Sequence, residues 1–241
     1  MNNVVAMPRN PGESLVQRAM DAVTGYIREH SLRVGDTLPG EGQFAAALGV
    51  SRAVMREAFG ALAALKLIEV ANGRRPRVGA MDGAVMAASL DHAISTAQVT
   101  VPEIWDVRRT IEMRTAELAA VNRTDAEAER IVALAELMAA DADDLAARTA
   151  HDIAFHETIA EASHNALFVQ IVASFGPLMQ VAVPLAWQTR TAALQKQLMI
   201  DRHRTVAKAI FNREPVAALM AMSAHFDSSI GDLLKAQTND R

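Results

Sequence analysis

Apolar residues return every three or four positions along most of this chain, and one short stretch breaks that rhythm. Ser14 caps a first helix that runs to about His30, with Leu15, Ala19, Ala22, Val23, Tyr26 and Ile27 on its apolar face. Pro39 marks a turn. Glu41 to Leu48 then form a short helix carrying Phe44, Ala45 and Leu48, which Gly49 stops. Ser51 caps another, running to about Lys66, whose Val54, Ala58, Leu62 and Leu65 lie at helical spacing. The rhythm changes at Leu67. Leu67-Ile68-Glu69-Val70 reads as a strand, Asn72-Gly73 as a hairpin turn and Arg77-Val78 as the returning strand.

Past Val78 the helical period resumes and continues to the end. Helices are expected at about 82–95, 102–121, 124–140, 143–163, 165–186, 190–212 and 215–235, with Pro102, Thr124, Asn165 and Pro215 at helix starts. Seven helices with short connections imply an antiparallel bundle. The expected fold is therefore mainly α: a winged helix-turn-helix over residues 13–80, an all-helical domain over 81–241, and a disordered lead-in over 1–12.

Two helices joined by a tight glycine-containing turn form a helix-turn-helix. The first turns of its second helix enter the major groove, which directs Ser51, Arg52, Ala53 and Arg56 at bases or phosphates. The hairpin carries Asn72, Gly73, Arg74, Arg75 and Arg77, a compact cationic wing suited to a phosphate backbone or a minor groove. Helix pairs of this kind also occur where no DNA is bound, and an arginine cluster is often only a solvated surface. Charge weighs between the readings. Residues 1–80 carry ten Lys or Arg against seven Asp or Glu, whereas the remainder carries fourteen against twenty-one. The formal net charge of −4 thus conceals a basic module joined to an acidic one, and the basic one is expected to meet a polyanion.

With 241 residues and 51% hydrophobic content the chain can bury a sizeable core. It has no cysteine, so disulfides and thiolate metal sites are excluded and a cytoplasmic location is expected. The first residues lack the apolar run of a signal peptide. Ala162 to Thr189 contains no Asp, Glu, Lys or Arg, and Leu167 to Trp187 within it is long enough to cross a bilayer. Gln170, Ser174, Gly176-Pro177, Gln180 and Pro184 interrupt it, so a central bundle helix is expected and no membrane partner.

One set of residues in the helical part carries chemistry. Asp152 and His156 lie four apart on one helix, hence on one face. His203 precedes Asn212 by nine residues, and His225 follows Pro215 by ten, so in an antiparallel hairpin the two sit at about the same level. A carboxylate and three imidazoles suit a divalent ion; Zn is the default, with Ni, Mn, Co and Fe open. A single histidine in a helix is more often merely exposed or satisfied, and only the matching levels recommend the set. His30, His92, His151 and His164 fall outside it and read as surface residues.

The segment Leu38-Pro39, Glu41, Leu48-Gly49-Val50-Ser51-Arg52, Val54, Arg56-Glu57-Ala58, Leu62, Leu65 and Leu67-Ile68 resembles the winged-helix domain of the GntR family of bacterial regulators. The resemblance implies operator contacts from Ser51, Arg52, Arg56 and Gly73. Gly42 departs from relatives that place an arginine there. Residues from about 84 to 235 look like the FCD effector domain of the FadR subfamily, on Arg108 and Glu112, Asp152, Phe155-His156-Glu157, Asn165, His203-Arg204, Ala209-Ile210 and His225-Phe226. That likeness implies a metal held by an Asp and three His, and a small carboxylate effector, a sugar acid or hydroxy acid, gripped by an arginine. Arg108 is the candidate, its guanidinium fork matching a carboxylate, although a salt bridge to Glu112 would also explain it. Asn165 is a second candidate that helix capping would equally account for.

The implied function is a ligand-responsive transcription regulator, a homodimer and a repressor, acting on double-stranded operator DNA. It is not expected to be an enzyme. Two alternatives remain: a metal-dependent enzyme on a small organic acid, for which no further carboxylate is evident as a base, and a regulator that senses the metal itself.

Overall fold

The computed structural model describes residues 14–141, 144–190 and 192–239, so the lead-in expected over 1–12 lies outside the described residues. The chain divides into two compact units, Met1–Val85 and Met86–Arg241.

In the first unit, α1 (Leu15–Glu29), α2 (Glu41–Leu48) and α3 (Arg52–Ala64) are followed by β1 (Ile68–Glu69) and β2 (Arg77–Val78). Ser14 accepts from the Gln17 amide and Ser51 from that of Val54, which fixes where α1 and α3 begin. Gly49 ends α2 at φ +66°, a left-handed conformation that a side chain would strain. The core is Val23, Tyr26, Leu38, Phe44, Met55, Phe59, Leu62 and Ile68 with their smaller neighbours. Two faces differ from those expected. In α3 the buried positions are Met55, Ala58, Phe59 and Leu62, with Phe59 packed edge-on against Phe44; Val54 is only half-buried and Leu65, which caps the helix end, is exposed. In α1, Leu15 is exposed at the helix's first residue. The strands are antiparallel with Ile68 opposite Val78 and Glu69 opposite Arg77, and Thr37 adds a bridge to Arg77.

The second unit contains the greater part of α4 (Gly83–Ser95), then α5 (Val101–Asn122), α6 (Asp125–Ala140), α7 (Leu145–Ala162), α8 (Ala166–Ser174), α9 (Gly176–Gln188), α10 (Ala193–Phe211) and α11 (Pro215–Asn239). Thr100 with Glu103 and Thr124 with Glu127 close capping boxes at α5 and α6. One core joins these helices: Trp105 from α5, Ile131 and Met138 from α6, Phe155 and Ile159 from α7, Met179 and Val183 from α9, Val206 and Ile210 from α10, Met222 and Phe226 from α11. Fully buried Ala116, Ala119 and Ala120 keep α5 slim enough for α11 and α7 to approach it closely.

The helix expected over 165–186 is two helices bent by 55° at Phe175. The cause is Gly176-Pro177: proline has no amide hydrogen to continue the ladder and its fixed φ suits a helix start, so α9 begins there. Among the described residues no single helix is long and apolar enough to cross a membrane; α8 and α9 pass that test only together and across the bend. Met179, Ala182, Val183, Ala186 and Trp187 of α9 are buried within the unit.

Candidate DNA-reading surface and metal centre

Ser51, Arg52, Ala53 and Arg56 are all exposed at the start of α3, with Met55 and Ala58 anchoring the helix behind them. Arg56 has only a loose pairing with Glu41, 3.9 Å and well solvated. The helix start adds its own positive end to the two guanidiniums, which favours a phosphate there. Asn72, Gly73, Arg74, Arg75 and Arg77 are exposed on the hairpin, whose turn is closed by the Arg74 amide donating to Ala71 O and by Gly73 at φ +72°. Arg77 is tied down: its guanidinium donates to Gly35 O at 3.2 Å. Thr37, Glu69, Ala71, Arg74, Arg75 and Arg77 line an open concavity of about 700 Å³ beside the wing.

The second group lies in the dark interior of the bundle. Asp152 and His156 come from α7, His203 from α10 and His225 from α11, each at most 7% exposed. The His203 and His225 rings are 4.5 Å apart, as counting from the turn between α10 and α11 requires, and His156 is 5.1 Å from His225. Donor nitrogens of the three imidazoles lie within 4.8 Å of one another, close to the span of about 4 Å that one ion allows between ligands. This cluster could hold a metal ion. Asp152 joins it through His203, whose Nε2 is 3.1 Å from Asp152 Oδ1, while His203 Nδ1 faces Met199 O at 2.9 Å. A neutral imidazole has one hydrogen for these two oxygens, so the tautomer decides which of them it donates to.

Electrostatics favours the ligating forms of Asp152 and His225. Burial opposes the Asp152 carboxylate, yet His203, His156 and Arg108 together outweigh it and lower its pKa to about 2. Burial, reinforced by the positive field of His203, His156, Arg108 and Arg190, holds His225 well below the ordinary imidazole range, so it stays neutral. His225 Nδ1 is buried with no hydrogen-bond partner among the described residues, a lone polar atom that a ligand would satisfy.

Arg108 stands beside this cluster. Its Nε donates to Glu112 Oε1 at 2.7 Å, Nη1 rests on Met179 Sδ, and Trp105, Phe175 and Phe226 enclose the guanidinium. The salt bridge to Glu112 is thus present, and Arg108 still lines the cavity with Asp152, His156 and His225. That cavity is about 20 Å³, room for about one water. Asn165 is elsewhere: it is exposed, and its side chain caps α8 by accepting from the amides of Leu167 and Phe168. Helix geometry accounts for it fully, and it does not line the cavity. His30, His92 and His164 are exposed, and His151 is half-buried against Asp141.

Spacing did not single out Trp187, Arg190 and Ser229, which complete the cavity wall. Arg190 is 4% exposed and stacks on Trp187, as does Arg148 from the other contact. One signal was available, since Arg190 is the first charge after the uncharged run that ends at Thr189.

Comparison with known proteins agrees with both sites' settings. Residues 15–78 match the bacterial regulatory proteins of the gntR family, and residues 103–228 match the FCD domain. The chain is 31% identical over 211 residues to the Glc operon transcriptional activator of Escherichia coli strain K12, covering 85% of this chain and 83% of that one. It is 29% identical over 228 residues to a putative L-lactate dehydrogenase operon regulatory protein of the same strain, covering 92% and 86%. Among solved structures, Streptococcus agalactiae GntR aligns with a TM-score of 0.63 and 26% identity over 88% of this chain and 98% of that one. These relatives are regulators rather than enzymes. With an α3 that presents two arginines at its start and a bundle built around a histidine cluster, the chain belongs to the GntR family of DNA-binding transcription regulators and carries an FCD domain.

Proposed function

We propose that this regulator binds operator DNA through Ser51, Arg52, Ala53, Arg56 and the wing residues Asn72, Gly73, Arg74, Arg75 and Arg77, and that its helical domain senses a small carboxylate at a divalent ion. Asp152, His156, His203 and His225 would hold the ion, with Zn the default. A bound ion would supply a positive centre for the acid's oxygens, and Arg108 would grip the carboxylate from the other side. The observation that carries this reading is the buried imidazole trio beside Asp152, two of whose rings, His156 and His225, line the same cavity as Asp152 and Arg108. The relative associated with an L-lactate dehydrogenase operon agrees with a hydroxy acid or sugar acid as effector.

The protein acts in the cytoplasm as a homodimer on a two-fold operator, and the acid relieves repression. The Glc operon relative is named an activator, so the assay must read both signs. A cavity of about 20 Å³ cannot admit an acid as it stands, so binding has to move its wall, which gives the ligand a structural change to drive. The same closure favours a second reading, in which the metal alone is the signal.

A thermal-shift screen of sugar acids and hydroxy acids, with and without chelator, tests the first reading. An acid that raises Tm only in metal-loaded protein is the expected result. If operator binding in a gel shift responds to metal and to no acid in the screen, the second reading stands instead.

A further inference from the structure

The arginine assigned to the acid and a histidine assigned to the metal share one carboxylate. Glu112, on α5, is 1% exposed. Its Oε1 accepts from Arg108 Nε at 2.7 Å, and its Oε2 lies directly against His156 Nδ1. Neither Glu112 Oε2 nor His156 Nδ1 has any other partner among the described residues.

An ordinary helix-surface ion pair would explain only half of this. Arg108 and Glu112 are four apart and would pair on any solvated α5. Here the pair is buried, where a carboxylate is costly unless its oxygens are satisfied, and the group found against the second oxygen is a ring nitrogen of the histidine cluster. Metal-ligating histidines commonly present their second nitrogen to a carboxylate, which fixes tautomer and ring orientation. Contact through Nδ1 leaves Nε2 of His156 for the cluster.

We infer that Glu112 is a positioning residue that couples the two halves of the site, orienting His156 for the metal and holding Arg108 for the acid. The inference rests on the metal and acid reading proposed above. With His156 Nε2 engaged, the Nδ1 hydrogen is a stronger donor, and the Glu112 carboxylate is drawn from Arg108 toward His156. The guanidinium is then freer for a second carboxylate. Metal and acid therefore strengthen each other's binding, and the effect is reciprocal.

Co²⁺ alone serves as the probe, with the full-length chain, chelator competition for affinity and the visible d–d bands for geometry. Glu112→Gln is expected to weaken Co²⁺ binding about 10- to 100-fold and to shift the bands. Arg108→Gln, at a residue that is not a ligand, is expected to tighten Co²⁺ binding severalfold, and that gain should vanish in the Glu112→Gln background. Unchanged affinity and bands in Glu112→Gln, with Co²⁺ binding lost in His203→Ala, overturn the coupling while leaving the metal reading intact. If His203→Ala also binds Co²⁺ normally, the metal reading fails and the coupling with it. Far-UV circular dichroism checks folding; where Glu112→Gln does not fold, Glu112→Asp retracts the carboxylate, and unchanged bands there overturn the inference.

Discussion

The two candidate sites in this chain treat charge in opposite ways. At the start of α3 and on the wing, every charged residue assigned to DNA is exposed, and water solvates it until a phosphate replaces the water. In the helical domain, Arg108, Glu112, Asp152, His156, His203 and His225 are all nearly inaccessible, and each must find its partner inside the protein. The difference separates function from stability. An exposed arginine can be removed with little effect on folding, whereas removal of one member of the buried cluster leaves its neighbours uncompensated.

The largest effect should fall on the buried side. Arg108→Ala strands the Glu112 carboxylate and should cost about 3–5 kcal/mol of unfolding free energy, read by chemical denaturation. A change of under about 0.5 kcal/mol, the usual size for a surface substitution, would erase the contrast. On the exposed side, Arg52→Ala and Arg56→Ala should each cost about 1–3 kcal/mol of operator binding by fluorescence anisotropy at fixed salt. Their Tm values should stay near that of the parent. Retained DNA affinity in the double variant would remove α3 from the interface.

Acid distinguishes the sites next. The folded Asp152 pKa of about 2 lies below the ordinary 3.8, so its contribution is present above about pH 4 and is lost as pH falls toward 2, an effect of about 2 kcal/mol. His225 acts in the same direction from a higher pH. Kept neutral by burial, it favours the fold fully above its ordinary value of 6.5 and loses that advantage as pH falls below it. Chelator-treated protein should therefore begin to weaken as pH falls below about 6.5, and His225→Gln should flatten that limb. The smallest effect is a gain. Gly60 is exposed within α3 and has open space where a Cβ would stand, so Gly60→Ala should stabilise the winged unit by about 0.5–1 kcal/mol. If it also weakens operator binding, that side of α3 faces DNA and the exposed surface is wider than assigned.

The exposed region was the easier to read, because its parts are consecutive. Ser51 as a cap, Gly49 as a stop and the Asn72-Gly73 turn are local rules, each decided within four residues. Helix faces were harder, since packing chooses between neighbouring apolar residues: Met55 and Phe59 took the core where Val54 and Leu65 had the right period. In the buried region, counting residues from the turn before Pro215 was enough to bring His203 beside His225. Nothing comparable reaches Arg190 and Trp187, which arrive at the cavity because Gly176-Pro177 bends the chain by 55°. Asn165 is the converse case, a residue that fits a family pattern and whose side chain caps its own helix, as the sequence also allowed.

Were the helical domain to take an acid as proposed, its small cavity would also set a clock. If no more than about one water fits before the cavity wall moves, an acid cannot arrive faster than the wall opens, however concentrated it is. Its observed binding rate would level off at a value belonging to the protein rather than to the ligand. A brief pulse of effector would then pass unread, and only a sustained rise would change what the arginines of α3 hold.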